Sequence, residues 1–324
     1  MDPSKFLTQE QIDWCDRHID FGWGVNTKGE VTVTEHLYFK KDRSFDRFPV
    51  QFAPVKGDFN CDRCPNLVSL EGAPSHVGGH FNCSSCPKLT SLEGAPSHVE
   101  GDFYCERCPD LTSLEGAPEH VDGDFSCKDC PKLVSLEGAP AHVGGRFDCG
   151  NCDKLASLEG APAHVGGRFY CWHCVNLLSL EGAPARVGGD FHCFECPKLT
   201  SLEGAPDHVG GEFVCWGCPI VSLKGAPSHV GGDFSCTRCE LTSLEGAPAH
   251  VEGSFNCGHC PKLVSLEGAP EHVGGGFYCG KCPKLPDSFM GIIDEYEERQ
   301  IDWKTAHKLI HSYTARKAHS IGLI

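Results

Sequence analysis

The chain repeats itself. The wording of "FNCSSCPKLTSLEGAPSHVEGD", which begins at Phe81, recurs with small changes from Phe59 to Phe277, giving eleven F-x-C-x-x-C segments and ten L-x-G-A-P turns. The first cysteines stand at 61, 83, 105, 127, 149, 171, 193, 215, 236, 257 and 279, a period of 22 with two steps of 21. A unit of this size cannot bury an apolar face alone, so it must stack on copies of itself, and a solenoid results. Both short steps lose one residue after the second cysteine ("CPIVSL", "CELTSL"), which places a loop there.

Within a unit, Phe and the first Cys are two apart and share a strand face. The second Cys follows at a bend, and Leu89, Leu92 and Val99 supply the remaining inward anchors in the unit that begins at Phe81. Gly-Ala-Pro and Gly-Gly suit corners, where unusual or fixed φ is wanted. The segment F-x-C-x-x-C-x-x-L resembles the leucine-rich repeat L-x-L-x-x-(N/C)-x-x-L. More narrowly, over about residues 47–285 the chain resembles the "SLEGAP…VGGxFxC" repeat proteins of tailed phages and bacteria. In those repeats the second Cys position is usually Asn, and Cys throughout is a departure. The resemblance implies an interaction scaffold and no particular activity. The expected fold is a β-rich repeat solenoid. It is a leucine-rich-repeat-like right-handed coil of about eleven 21–22-residue units with one short parallel strand each.

The ends do not repeat. Residues 1–46 read as an N-terminal cap of helix plus strands, 47–285 as the solenoid, and 286–324 as a C-terminal helical cap. Thr8 with Gln11 forms a capping box, and Ile12, Cys15 and Ile19 recur at helical spacing. "NTKG" signals a turn, and "EVTVTEHLYF" alternates like a strand. Toward the C-terminus, Asp287 or Ser288, and Asp302, are expected N-caps. Ala306, Leu309, Ile310 and Tyr313 make one apolar helix face. A dimerisation or docking arm is the alternative to a cap there.

The cysteines admit three readings. C-x2-C-x18-C-x2-C fits a four-cysteine zinc spacing, so a metal-binding protein (zinc or another thiophilic metal) is the alternative function. Disulfides are the second reading. A ladder of buried thiols is the third, because free Cys packs as a small hydrophobe. Eleven equivalent pairs select no two units to clamp a metal, and ordinary repeats fill these slots with apolar residues or Asn. The ladder is therefore preferred, with no metal site and no cofactor expected.

Two further columns are uniform. Glu recurs at 71, 93, 115, 137, 159, 181, 203, 245 and 267, with Lys224 the exception. His recurs at 76, 98, 120, 142, 164, 208, 229, 250 and 272, with Arg186 the exception. A metal-binding or pH-sensing stripe is one reading, and solvated copies of a duplicated unit are the other.

Function is better sought where the copies disagree. Three adjacent units carry Tyr170, Trp172, His173, His192, Phe194, Val214 and Trp216 at outward positions, with Arg146 and Arg168 beside them. Strand neighbours about 4.8 Å apart make such residues a contiguous patch. Aromatic residues and Arg dominate binding hot spots, so these nine are the expected partner-binding residues, and the partner another protein.

Other classes are disfavoured. With 28 basic and 44 acidic residues the formal net charge is −16, which opposes nucleic-acid and anionic-membrane binding. No run of 18 apolar residues and no apolar leader core occurs, so a cytoplasmic location is expected, in a bacterial cell if the chain is phage-encoded. No H-E-x-x-H, Walker A or G-x-S-x-G motif appears, and the carboxylates form ladders rather than a singular pair. A non-enzymatic protein-interaction scaffold is the resulting expectation.

Overall fold

The computed structural model describes residues 1–20, 22–39, 43–298 and 301–320. The protein comprises two compact units, residues 1–167 and 168–324. Each contains successive coils of a parallel β-solenoid, five beginning at Phe59, Phe81, Phe103, Phe125 and Phe147 and six beginning at Phe169, Phe191, Phe213, Phe234, Phe255 and Phe277.

Each of the ten coils from Phe59 to Phe255 carries two strands rather than the single one expected. One holds Phe and its successor and the other holds His-Val, as in Phe81–Asn82 and His98–Val99. Both ladders run parallel and in register. Phe81 pairs with Phe103 and His98 with His120 in the first unit. In the second, Phe191 pairs with Phe213 and His208 with His229. The second ladder arises because Val turns inward while its flanking backbone groups still need partners. Two residues are too short a run to show alternation in the sequence.

Phe, both cysteines, both leucines and Val are buried in nearly every coil. Like residues stack on like. Phe81 and Phe103 rings lie 5.0 Å apart at 14°, and Phe191 and Phe213 5.4 Å apart at 6°. Full burial of each such side chain is worth roughly 1.5–3 kcal/mol.

The bend between the cysteines has a specific cause. The residue before the second Cys is left-handed in every coil, with φ of 52° at Arg63, 53° at Arg107, 54° at Glu195 and 72° at Gly217 among them. This turns the second Cys inward. Its thiol then donates to the carbonyl of the first Cys in the preceding coil: Cys86 to Cys61 at 3.3 Å, Cys130 to Cys105 at 3.4 Å, and Cys218 to Cys193 at 3.1 Å. The L-x-G-A-P corner needs glycine twice over. Gly94 has φ +86°, and a Cβ there would lie 2.3 Å from the Glu71 nitrogen. In the two shortened coils Ile220 and Leu241 occupy the buried leucine position, and the turn after the second Cys is absent.

In the N-terminal segment, α1 (Gln9–His18) begins with the expected capping box of Thr8 and Gln11 and buries Cys15. Ile19 is also buried, whereas Ile12 is half-exposed. The "NTKG" turn joins β1 (Trp23–Val25) to β2 (Val31–Val33) as an antiparallel hairpin. There Asn26 Oδ1 accepts the Lys28 and Glu30 N–H groups at 2.9 and 3.1 Å. The expected strand over "EVTVTEHLYF" is broken in two. β2 is committed to the hairpin, and β3 (Leu37–Tyr38) pairs in parallel with Phe59–Asn60 of the first coil.

At the other end lie α2 (Asp287–Glu297) and α3 (Trp303–Ser320). Pro286 occupies the N-cap of α2 with no side-chain bond, so neither Asp287 nor Ser288 caps it. Asp302 does cap α3, accepting the Thr305 N–H at 2.8 Å. Ala306 and Ile310 are buried, but Leu309 is 41% exposed. Tyr313 packs edge-on to Phe289 at 4.7 Å. Among the described residues no helix is long and apolar enough to cross a membrane.

Candidate functional site

In the second unit, in-register pairing places the residue after the first Cys in one column. Trp172, Phe194 and Trp216 therefore stack: 6.1 Å at 10° for the first pair and 5.0 Å at 6° for the second. Tyr170 and His192 form the adjoining column, 4.7 Å apart at 12°, continued by Val214. All six are half-buried, and His173 is exposed. The rings turn their faces to one another and their edges outward, so the surface is a stacked aromatic ladder rather than a set of free rings.

Charged neighbours fix its margin. The residue before Phe is Asp in five of the eleven coils, and its carboxylate accepts the N–H of the same position in the next coil: Asp102 from Asp124 at 2.7 Å, and Asp190 from Glu212 at 3.0 Å. Arg168 takes that position and pairs with Asp190 through Nε at 2.9 Å. Burial lowers the pKa of His192, and Arg168 lowers it further against the pull of Asp190. His192 thus remains an uncharged ring within the stack near neutral pH. His173 lies 3.7 Å from Glu195. Arg146 belongs to the first unit, where it pairs with Asp124 at 3.3 Å.

The structure also shows surface features not singled out in the sequence. Val68, Val134, Leu178, Val221 and Val264 are exposed by 42–57% and share the position after the first buried Leu of the coil, which is Ile220 before Val221. The signal was present as variation at the x of L-x-S-L. Conversely, Ser126 and Asp148, outward by strand parity, are 0% and 2% exposed.

The thiols sit inside. All 23 cysteines are free and buried. Burial raises the pKa of Cys61, Cys83, Cys105, Cys193 and Cys257 well above the usual thiol value, and neighbouring thiols add to the rise. Thiolates, the form that binds metal or attacks, are therefore disfavoured there. Among the described residues no group of three or more His, Cys, Asp or Glu side chains is placed to hold a metal ion.

The His stripe is partly stacked. His142 and His164 lie 4.6 Å apart, and His208 and His229 4.7 Å. Its acidic partners include Glu100, which meets His76 at 3.1 Å, and Glu252, which meets His272 at 3.8 Å. Those residues immediately follow Val and are not the L-E-G-A-P glutamates. Burial lowers the pKa of His208, with His229 and Arg186 adding to the fall.

No protein-family model, curated protein or solved structure matches the chain.

Proposed function

We propose that the protein is a non-enzymatic scaffold that binds another protein through the ladder of Trp172, Phe194 and Trp216, with Tyr170, His192 and Val214 beside it. The supporting observation is the column itself. In other coils the position after the first Cys holds Asp62, Ser84, Glu106, Lys128, Gly150, Thr237, Gly258 or Gly280. Only these three consecutive coils place large rings there, and the core beneath them is already filled by Phe and two cysteines. Rings held rigid by stacking lose little freedom on binding, which suits a hot spot. Arg168 and His173 complete the proposed contact residues in the second unit, and Arg146, in the first, is proposed as a contact of its own. A cytoplasmic setting belongs to this reading, because a chain that keeps 23 buried thiols unpaired suits a reducing compartment; kinship with the phage and bacterial "SLEGAP" repeats belongs to it too.

The test is the double change Trp172→Ser with Trp216→Ser. Two lost stacking contacts should cost about 1–3 kcal/mol of folding stability, leaving a folded protein by circular dichroism. Wild type and variant are then compared as baits in lysate of the native host. A protein retained by the wild type in stoichiometric amount and absent from the variant supports the ladder as the contact. Equal retention on a folded variant moves the contact elsewhere.

A further inference from the structure

The aromatic ladder stops at Trp216, and the column continues without rings. The next three positions are Thr237, Gly258 and Gly280, in coils whose strands pair in register. Phe194 covers one face of the Trp216 indole at 5.0 Å. The opposite face is directed along the column, over these small residues. A groove of about 720 Å³ opens there, within the second unit, with Trp216 as one end wall and Met290 and Ile293 of α2 among its lining. The size lies in the range of about 300–1,000 Å³ usual for small-molecule sites.

The groove floor is backbone. A Cβ built on Gly280 would meet nothing within 4 Å, and one built on Gly258 would approach the Gly280 carbonyl at 3.1 Å, the Asn256 oxygen at 3.3 Å and the Gly280 nitrogen at 3.9 Å. Its sides are polar. Thr237 offers a hydroxyl. Asn256 lines it too and uses Oδ1 to accept the Gly258 N–H at 3.1 Å, a bond that does not engage its amide N–H groups. Arg238, Lys281, Asp294 and Glu297 also line it, two formal charges of each sign, so the charged lining balances.

We infer that this groove binds a purine nucleoside, its base stacked on the open face of Trp216 as the next ring of the ladder. A flat ring fits because the stack already sets the ring plane, each ring lying within 10° of the next from Trp172 to Trp216. A heteroaromatic ring fits better than a plain hydrocarbon one because its edges meet an amide and a hydroxyl. A purine stacks more strongly than a smaller ring, since stacking grows with overlap. An uncharged nucleoside suits the balanced lining, whereas a polyphosphate strand would meet the repulsion of a chain with net charge −16.

The experiment is calorimetric titration of the full chain with adenosine and with guanosine, alongside ribose and benzyl alcohol. The expected result is saturable one-to-one binding of at least one purine nucleoside, with no heat from ribose and at least tenfold weaker binding of benzyl alcohol. Thr237→Trp supplies the protein's own next ring, leaves Trp172, Phe194 and Trp216 in place, and should abolish binding. Gly280→Leu fills the floor and serves in its place if the first variant does not fold, as read from its melting curve. Absence of saturable binding by both nucleosides overturns the inference, as does unchanged affinity in a folded Thr237→Trp or Gly280→Leu protein. An oligo(rA) hexamer that binds more tightly than adenosine would also overturn it, by making the groove part of a nucleic-acid surface. These variants keep the ladder intact, so their outcome stands apart from that of the protein-binding proposal.

Discussion

Asp148 shows what the coil demands of one residue. Its position, between Phe and the first Cys, is Asn in three coils. Asn60, Asn82 and Asn256 each accept the N–H two residues on, at 2.9, 2.9 and 3.1 Å. Asp148 does the same for Gly150 at 3.0 Å, but it is 2% exposed. Burial raises its pKa despite Arg146 and Lys128, which act the other way. A carboxyl with a raised folded-state pKa costs stability while it is charged. The cost is full above the folded value and fades as pH falls through that value toward the ordinary one near 3.8. Asp148→Asn keeps the acceptor and removes the charge. It should therefore raise the urea midpoint at pH 7, with a gain that shrinks by pH 4. An unchanged or lower midpoint at pH 7 would show that Arg146 and Lys128 outweigh the burial. Parity alone had set Asp148 and Ser126 on the outer face. Their burial depends on the larger side chains around them, such as Tyr104 beside Ser126 in register, and no local pattern records that.

The coil was the most legible element. Phe, two cysteines, two leucines and Val were all readable as inward because spacing fixes side-chain direction on so short a turn. The second strand was not, since its defining feature is a backbone ladder between distant residues. The thiol's hydrogen bond was not legible either, since it joins cysteines of different coils. The aromatic residues of the ladder were legible as exceptions within copies, whereas their mutual stacking and the groove beyond Trp216 needed the register. An element built this way predicts its own chemistry. In the native protein the repeat thiols should react with a disulfide reagent many times more slowly than a free thiol, because burial puts them out of the reagent's reach. Cys282, 8% exposed in the last coil, should be the first of them to react. All 23 should react promptly in denaturant. Rapid native reaction of many thiols would mean that the coils open readily. Several equivalents of zinc per purified chain would revive the metal reading.

At the scale of the whole molecule, a stack of identical coils is limited by its ends. Each terminal coil presents rings and unpaired strand groups that would otherwise recruit another chain. In the first unit the Phe59 ring meets Phe39, Phe48 and Phe52 at 5.5–5.8 Å, while Trp14 packs beside that cluster. In the second unit Trp303 stacks on Phe277 at 4.7 Å and donates its indole N–H to the Pro270 carbonyl at 3.1 Å. Tyr296 packs on Trp303 at 5.3 Å and donates its hydroxyl to the Gly275 carbonyl at 2.6 Å. Trp303 thus helps to join α3 to the end of the coil stack, with His307, whose Nε2 lies 3.1 Å from the Ala269 carbonyl oxygen. Trp303→Ala removes a ring that is only 7% exposed and should cost about 3–5 kcal/mol, the range for a buried aromatic cut to Ala. Leu309→Ser, on the same helix but outward, should change stability by no more than about 0.5 kcal/mol. Because coils in such a stack are stabilised mainly by their neighbours, the loss should begin at the exposed end. Amide exchange in Trp303→Ala should therefore speed up first around Phe277–Cys282, and much less around Phe191–Cys196. Light scattering should show association that rises with concentration as the uncovered coil finds another copy. Uniform acceleration across both segments would mean that the six coils of the second unit open as one cooperative body and that α3 stabilises all of them equally.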